Sequence, residues 1–362
     1  MKYQMCTRCL MDTTADGIVF DKEGVCNYCK DFESILRNPS KRINLNLADL
    51  VNKIKKEGKN KPYDCIVGVS GGVDSSYTLI KVKELGLRPL AVHMDNGWNS
   101  ELATNNIKNL IEGLGVDLFT HVIDWVEYRE LMQAFFDADV IDVELLYDNA
   151  MLAVNYNQAK KYGIKYILSG SNTSTEGLRM PYSWNWHKMD KKNIIKLAKR
   201  RNIKIKTFPI IGGIEFLLND FIKKIKWISF LDYLEFYNKF EALDILQRDY
   251  NYKPYPFKHY ESIFTRFYQG YILPEKFNVD KRKVHLSTLI ISGQMTRETA
   301  LKQLEGIPYP SENDLQDDID YFLKKMKWTK EDLTNYISRP EILHSVYGSE
   351  RWWWDILLKI YK

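Results

Sequence analysis

The residues with the clearest chemical role form one short loop that combines two glycines, three serines and an aspartate. They are Ser70, Gly71, Gly72, Val73, Asp74, Ser75 and Ser76. The apolar run at 65–69 predicts a strand before the loop, and residues 77–80 predict the first turns of a helix after it. A strand, a tight turn and a helix N-terminus direct several unpaired backbone N–H groups at one point, where the helix dipole favours an anion.

The side chains of this loop agree with an anion-binding role. The paired glycines let the backbone approach an anion without a Cβ in the way, and the serine hydroxyls add donors. Asp74 can hold the turn or a Mg²⁺ ion. The loop is not a Walker A motif, because no Gly-Lys-Ser/Thr follows at the required spacing. An ordinary glycine turn between a strand and a helix is the alternative interpretation.

Four cysteines near the N-terminus have the spacing of a metal site. They are Cys6, Cys9, Cys26 and Cys29, two C-x2-C pairs on either side of a segment with turn signals. Four thiolates in this pattern suit a tetrahedral and closed, hence structural, Zn²⁺ site in a small ribbon. Disulfides or a redox pair are the alternatives. The fifth cysteine, Cys65, is expected to be a small buried thiol in a strand.

Composition and charge limit the function classes. The chain has 362 residues, of which 45% are apolar and 27% charged, with a net charge of +5. The mild positive charge fits an anionic substrate such as a nucleotide, and it does not call for a nucleic-acid partner. No run of about 18 uncharged apolar residues predicts a transmembrane helix, and the first residues lack an apolar signal core. We therefore expect a cytoplasmic protein without a membrane partner.

Strand and helix patterns alternate after residue 64. The predicted strands are 64–69, 89–94, 118–123 and 166–169, and the clearest helices are 76–85, 102–114 and 150–162. Gly86, Gly115 and Gly163 stand where helix C-caps are expected. This alternation predicts an α/β fold with a parallel sheet that is covered on both faces.

Ligands of such sheets bind past the carboxyl ends of the strands, so the residues at those ends are candidates. Met94, Asp95 and Asn96 end the second strand, and Gly170 and Asn172 follow the fourth. The alternative for Asp95, Asn96 and Asn172 is that these polar residues only form turns.

We expect three domains: a zinc module at 1–45, an ATP-binding domain at 46–211 and a mainly helical domain at 212–362. Residues 191–206 are basic, which predicts a solvated face or, alternatively, a patch for RNA or an anionic sugar. Residues 212–246 are expected to be helical. Residues 258–297 hold an unusual density of reactive side chains.

The loop resembles the SGGxDS loop of the PP-loop ATP pyrophosphatases, which transfer AMP from ATP to a substrate oxygen. Further segments occur in the same order as in one family of this superfamily. They are the two cysteine pairs, the segment Glu-Gly-Leu-Arg-Met-Pro at 176–181, the stretch 258–271, Asp-Lys-Arg at 280–282 and Ser-Gly-Gln-Met-Thr-Arg at 292–297. Together they resemble the N-acetyl sugar amidotransferases of bacterial surface-polysaccharide and LPS synthesis.

The resemblance implies a ligase-type reaction in which ATP adenylates an acetamido group of a nucleotide-linked sugar and ammonia then replaces the oxygen. It implies ATP, Mg²⁺ and structural Zn²⁺ as cofactors. The loop residues with Met94 and Gly170 would bind ATP, and Asp74 would serve catalysis. Four cationic side chains are the candidates for neutralising phosphate charge during catalysis: Lys258, Arg266, Lys281 and Arg282. Substrate contacts fall to Asn172, Glu176, Arg179 and His259.

The source of ammonia follows from the cysteines. If four of them bind zinc and Cys65 lies in a strand, the chain has no thiol nucleophile for glutamine hydrolysis. The family therefore implies a separate glutaminase subunit, which a cyclase-like barrel subunit can accompany. The alternative function is a PP-loop tRNA-modifying enzyme that uses the basic stretch 191–206 to bind RNA.

Overall fold

A five-stranded parallel sheet is the framework of the protein, which we describe from a computed structural model covering residues 2–37 and 46–354. The strand order is β3-β2-β1-β4-β5. The strands are β1 (Cys65–Gly68), β2 (Pro89–Asp95), β3 (Asp117–Val122), β4 (Tyr166–Ser169) and β5 (Lys226–Ser229). The expected α/β class with a parallel sheet is therefore confirmed.

Side chains that alternate along the strands build a separate core on each face of the sheet. Cys65, Val67 and Leu168 pack into one core, while Ile66 and Ile167 pack into the other. Strands buried on both faces must be apolar throughout, which is why β1 and β4 read as continuous apolar runs.

Eight α-helices lie before residue 211 in the described part of the chain. They are α1 (Asn27–Leu36), α2 (Leu47–Gly58), α3 (Val73–Glu84), α4 (Glu101–Leu114), α5 (Trp125–Asp137), α6 (Leu145–Tyr162), α7 (Thr173–Glu176) and α8 (Lys191–Arg200). Ser100 and Asp124 cap the N-termini of α4 and α5 by accepting a backbone hydrogen bond. Gly115 and Gly163 end α4 and α6 with φ of 57° and 65°, as expected.

The region after residue 211 is mainly helical. It contains α9 (Gly213–Leu217), α10 (Lys239–Tyr250), α11 (Ile263–Phe267), α12 (Leu273–Phe277), α13 (Arg282–Ile291), α14 (Arg297–Leu304), α15 (Glu312–Met326) and α16 (Lys330–Ser338). The expected continuous helix over 212–246 is wrong in its middle, because residues 226–229 pair with β4 as β5. The sheet thus extends past the expected domain boundary at residue 211.

The N-terminal cysteine module packs against helix α13. The expected ribbon strands are reduced to two isolated antiparallel bridges, Met5 with Asp12 and Phe20 with Cys26. The Leu10 backbone N–H donates to Ser287 Oγ at 3.0 Å, and Lys283 forms an ion pair with buried Asp12 at 2.6 Å. The module and α13 therefore form one packed unit.

Within residues 2–37 and 46–354, no helix combines the length and apolarity needed to cross a bilayer.

Candidate active site

The loop between β1 and α3 is a tight turn held by its own serines. Gly71 has a φ of 86°, a left-handed conformation that favours glycine. Ser75 Oγ donates to the Gly72 carbonyl at 3.1 Å and lies 3.1 Å from Ser70 Oγ. Two phenol hydroxyls, from Tyr252 and Tyr255, donate to the Gly71 carbonyl at 2.8 and 3.0 Å. The turn that begins α3 is therefore fixed from both sides.

The end of β4 packs directly on the first turn of α3. A Cβ on Gly170 would lie 2.7 Å from Ser75 N and 2.8 Å from the Asp74 carbonyl carbon. Both neighbours are backbone atoms and cannot turn away as a side chain can. Only glycine therefore allows the strand end and the helix N-terminus to come this close.

Hydroxyl groups hold the carboxylate of Asp74. Tyr237 donates one short hydrogen bond to it, and Thr175 Oγ1 donates another at 3.3 Å. Burial, together with the neighbouring carboxylate, raises the pKa of Tyr237, so the phenol stays a donor. The carboxylate is thus oriented beside the loop.

A cavity of about 570 Å³ opens at the carboxyl edge of the sheet and extends into the helical region. Most of the predicted site residues line it. They are Ser70, Gly72, Asp74, Ser75, Met94, Gly170, Glu176, Lys258, His259, Arg266, Lys281 and Arg282. The structure therefore joins the loop and the reactive stretch 258–297 in one site.

Four of the predicted site residues do not line this cavity. Ser76 is 1% exposed, so its expected hydroxyl contact with an anion does not fit its burial in the core. Asn172 is buried and caps α7, because its side-chain oxygen accepts a hydrogen bond from the Thr175 backbone N–H. The Gly71 carbonyl accepts a hydrogen bond from Tyr252. Arg179 lies over the ring of Tyr28, 4.7 Å from its centroid, on the cysteine module. Asn172 and Arg179 support the framework of the site in this arrangement.

The four predicted cations all have carboxylate partners. The pairs are Lys258 with Glu176 at 3.2 Å, Arg266 with Asp318 at 2.6 Å, Lys281 with Glu144 at 3.0 Å and Arg282 with Asp280 at 2.8 Å. Because Asp318 is buried and holds Arg266 by two hydrogen bonds, that guanidinium is fixed in place. These partners offset much of the positive charge.

Lys239 is a lining cation that sequence reasoning missed. Among the described residues, no carboxylate lies within ion-pair distance of its ammonium group. Burial and the Lys258 charge lower the pKa of Lys239, while Asp74, Glu261 and Glu176 act in the opposite direction. Lys239 begins α10 in the structure, but in the sequence it is one lysine inside a stretch expected to be helical, so only the fold reveals it.

Two histidines and two charged residues form a cluster of polar contacts beside the loop. Lys258 Nζ lies 3.1 Å from His285 Nδ1, and the Nε2 atoms of His285 and His259 are 3.5 Å apart. His259 Nδ1 is 3.7 Å from Glu261 Oε1. Burial first, then the positive charge of Lys258, the neighbouring His259 ring and the charges of Lys281 and Lys239, hold the pKa of His285 well below its usual value. Glu261 and His285 lie in the predicted reactive stretch, although nothing in the sequence distinguished them there.

The four N-terminal cysteines fit a tetrahedral metal ion. Their sulfur atoms all lie within 4.8 Å of one another, and the Cys6–Cys29 and Cys9–Cys26 distances are 3.7 and 3.8 Å. A tetrahedron around Zn²⁺ with Zn–S bonds of about 2.3 Å has edges of about 3.8 Å. Backbone N–H groups of Arg8 and Cys26 also donate to Cys6 Sγ, which suits a thiolate. All four ligand positions would be protein sulfurs, as in a structural site.

The basic stretch 191–206 lies outside the cavity lining. Lys191 pairs with Glu215, and Arg201 pairs with Glu130 and Asp137. Part of the stretch is therefore an ordinary paired surface.

The glycine-serine loop joins a parallel strand to a helix, and Asp74 stands in the first turn of that helix, as the resemblance to the PP-loop enzymes leads us to expect. At the other end of the chain, residues 261–361 match the family model "LPS biosynthesis protein WbpG-like, C-terminal domain". The match agrees with the resemblance drawn from the motifs.

Solved structures with similar folds are distant. NMN synthetase from Francisella tularensis is 15% identical, with 62% of this chain and 93% of that chain covered and a TM-score of 0.30. NH3-dependent NAD synthetase from Campylobacter jejuni subsp. jejuni NCTC 11168 is 17% identical, with 56% and 91% covered and a TM-score of 0.29. No curated protein sequence matches the chain significantly.

Proposed function

We propose that the protein is an ATP-dependent amidotransferase. It adenylates an acetamido group of a nucleotide-linked sugar and replaces the oxygen with nitrogen from ammonia, in the synthesis of LPS or a related surface glycan. One observation carries the proposal. The loop at 70–76 and residues of the LPS-biosynthesis domain, among them Glu261, Arg266 and Lys281, line the same cavity.

The loop would act in the first half of the reaction. The acetamido oxygen attacks the α-phosphorus of ATP, pyrophosphate leaves, and the amide N–H proton leaves with it to give an O-adenylyl imidate. The N–H groups at the start of α3 and the Ser70 hydroxyl would stabilise charge on the departing pyrophosphate, and the Ser75 hydroxyl would do so once it leaves the Gly72 carbonyl. Mg²⁺, for which Asp74 is the candidate ligand, would neutralise phosphate charge.

The helical region would act in the second half. An amide carbon resists attack because resonance keeps it electron-rich, whereas the adenylyl imidate carries a good leaving group. Ammonia adds to its carbon and AMP departs, which leaves an acetamidino group. Lys239 and the paired cations Lys258 and Arg266 would hold the phosphates of ATP or of the sugar nucleotide.

Ammonia would come from another protein. Burial raises the pKa of the Cys65 thiol in β1, so this cysteine is an inert core residue. The other four cysteines would hold the metal ion, which would leave no thiol nucleophile among the five cysteines of the chain. A separate glutaminase subunit, with or without a barrel subunit, would supply the nitrogen.

The test is a reaction with ATP, Mg²⁺, ammonium chloride and a panel of nucleotide-linked acetamido sugars. We expect AMP, pyrophosphate and a sugar product whose mass is lower by about one dalton, the difference between oxygen and NH. Glutamine should not replace ammonium chloride when this chain is alone. An absence of sugar-dependent AMP formation across the panel, or copurified RNA that is adenylated instead, would overturn the proposal.

A further inference from the structure

One cluster of side chains lies against the loop and consists of His259, Glu261, His285 and Lys258. The two imidazoles of this cluster have no role in the proposed adenylation step. Glu261 brings the cluster to the loop. A Cβ built on Gly72 would lie 3.6 Å from Glu261 Oε1. All four residues line the cavity. A group that can exchange protons is therefore placed next to the expected phosphate site.

The contacts define which ring nitrogens carry protons. The Lys258 ammonium can only donate, so His285 Nδ1 accepts from it and the proton of neutral His285 is on Nε2. The Glu261 carboxylate faces His259 Nδ1, which favours a proton there. His259 Nε2 then keeps its lone pair. Its contact with His285 Nε2 is long, at 3.5 Å, so a stronger donor can replace it.

We propose that His259 accepts the proton of the attacking nitrogen in the second half of the reaction, and that Glu261 is its positioning residue. This inference rests on the proposed amidotransferase function. The nitrogen lone pair of ammonia forms the C–N bond, and the electron pair of the C=N bond moves to the sugar nitrogen. His259 Nε2 takes one proton from the attacking nitrogen, which has become positively charged.

The remaining steps return the catalyst to its starting state. The C–O bond to AMP breaks and its electron pair stays on the phosphate oxygen, while the C=N bond to the sugar nitrogen forms again. The imidazolium then gives its proton to that nitrogen, and the product is an amidinium cation. Glu261 would stabilise the imidazolium while it exists.

Charged groups of both signs face His259. Glu261 and Glu176 are the carboxylates, and Lys258, Lys239 and Lys281 are the cations around the two rings. The carboxylates favour the imidazolium and the cations oppose it. Neutral His285 between Lys258 and His259 keeps the ammonium from contacting the base.

The backbone conformation of His259 suits substitution by asparagine or glycine. Its φ is 70°, in the left-handed region that asparagine and glycine tolerate better than most residues. His259→Asn and His259→Gly therefore remove the imidazole without adding backbone strain. His121→Asn, on β3 and outside the cavity lining, is the matched control.

Two measurements separate the halves of the reaction. Exchange of labelled pyrophosphate into ATP, with sugar but no ammonium, reports adenylation, and mass spectrometry reports amidine formation. At saturating sugar nucleotide, so that a lost substrate contact does not limit the rate, we expect His259→Asn to slow amidine formation by about 100-fold and exchange by far less. Added imidazole should restore part of the amidine formation in His259→Gly, which a purely structural role would not allow.

The pH profile tests the role of Glu261. Wild-type amidine formation should fall at low pH as the imidazole becomes protonated, and His259→Asn should lack this acid limb. Glu261→Gln should slow amidine formation by about tenfold and move the acid limb to lower pH, because the neutral amide no longer stabilises the imidazolium. Glu261→Asp should recover part of the rate.

The outcomes distinguish the two proposals. If the wild type makes no amidine with any sugar, the proposed function fails and this inference fails with it. If the wild type is active and His259→Asn keeps its amidine rate and acid limb, only the inference fails. If Glu261→Gln instead abolishes pyrophosphate exchange, Glu261 belongs to the nucleotide or Mg²⁺ site and its positioning role is overturned.

Discussion

Asp74 is the acidic side chain of the loop, and its surroundings suggest how it would be used. Tyr237 and Thr175 orient the carboxylate without neutralising it, since both donors are uncharged hydroxyls. A carboxylate held in this way can bind Mg²⁺ together with phosphate oxygens. At the residue scale, the loop would thus supply donors for the phosphates and one anionic ligand for their counter-ion.

We expect Asp74→Asn to lower sugar-dependent AMP formation by about 100-fold and to raise the Mg²⁺ concentration needed for half-maximal rate. Tyr237→Phe keeps the carboxylate and removes one donor, so it should cost about tenfold or less. Both variants are assayed by AMP release over a Mg²⁺ titration. An unchanged Mg²⁺ requirement in Asp74→Asn would show that this carboxylate does not hold the metal.

Lys239 offers a second test at this scale. Because its ammonium group has no close carboxylate partner among the described residues, we expect it to contact phosphate more strongly than the paired cations do. Lys239→Met should raise the KM for ATP or sugar nucleotide by about tenfold. Lys253→Met, which changes an exposed lysine outside the cavity lining, should leave both KM values unchanged. Equal behaviour of the two variants would remove Lys239 from the site.

At the scale of elements, the contact between β4 and α3 sets the shape of the loop. Gly170 brings the two backbones together, and an added methyl group would meet backbone atoms at 2.7–2.8 Å. The strand end or the helix N-terminus must therefore shift if this glycine is replaced.

We expect Gly170→Ala to raise the Kd for ATP by at least about tenfold, because the N–H groups at the start of α3 move. Gly115→Ala is the control: it has open space around it but a φ of 57°, so it should cost about 1 kcal/mol of unfolding free energy without affecting ATP. Calorimetric titration and urea unfolding measure the two effects. Unaltered ATP affinity in Gly170→Ala would mean that the contact does not shape the site.

The sequence predicted the elements that have strong local signals. Strands β1 to β4 are apolar or bounded by turns, and Gly115 and Gly163 mark helix ends. By contrast, β5 is four residues long and includes Lys226, so its strand character depends on pairing with β4. The same holds for the site: the loop was recognisable from spacing, whereas Lys239, Glu261 and His285 meet only through tertiary packing.

At the scale of the whole molecule, His344 connects distant segments. Its ring is buried between the Asp142 backbone N–H, which donates to Nε2 at 3.1 Å, and Asn193 Oδ1, 2.8 Å from Nδ1. The Nε2 contact requires the neutral ring, because Nε2 must accept a hydrogen bond, whereas Nδ1–H donates to Asn193 Oδ1 in either protonation state. Burial lowers the pKa of His344 to about 4.

This residue should make stability depend on pH. The unfolded chain binds the proton near pH 6.5 and the folded chain only near pH 4, so the free energy of unfolding falls as pH decreases between these values. The loss from this group is at most about 3 kcal/mol. Urea unfolding at pH 7 and pH 4.5 should show a smaller difference for His344→Gln than for the wild type. Equal differences would show that His344 titrates normally in the fold.

The cysteine module is connected to the cavity through contacts with α13 and α14. Arg297 donates to the carbonyls of Cys6 and Cys9, at 3.2 and 3.3 Å, and Lys283 of α13 pairs with Asp12. Since α13 also carries Arg282 and His285, a change in the module reaches the site. The proposed zinc would then stabilise more than its own module.

We expect Cys9→Ser to lower the melting temperature by several degrees and to reduce zinc content, measured by a colorimetric chelator. Sugar-dependent AMP formation should fall in parallel with the metal content. Cys65→Ser tests a buried thiol without metal and should leave zinc content unchanged. Full zinc content in Cys9→Ser would contradict the proposed ligand set.

The contact of Arg297 with Cys6 joins positions 291 residues apart in the chain. During synthesis, the ribosome releases the cysteine module long before α13 and α14 exist. Until the final quarter of the chain emerges, the face of the module that packs on α13 is therefore either exposed or covered by other surfaces. The cavity is consequently completed late in the synthesis of each molecule, and a truncated chain would carry the loop at 70–76 without the cavity residues of α13.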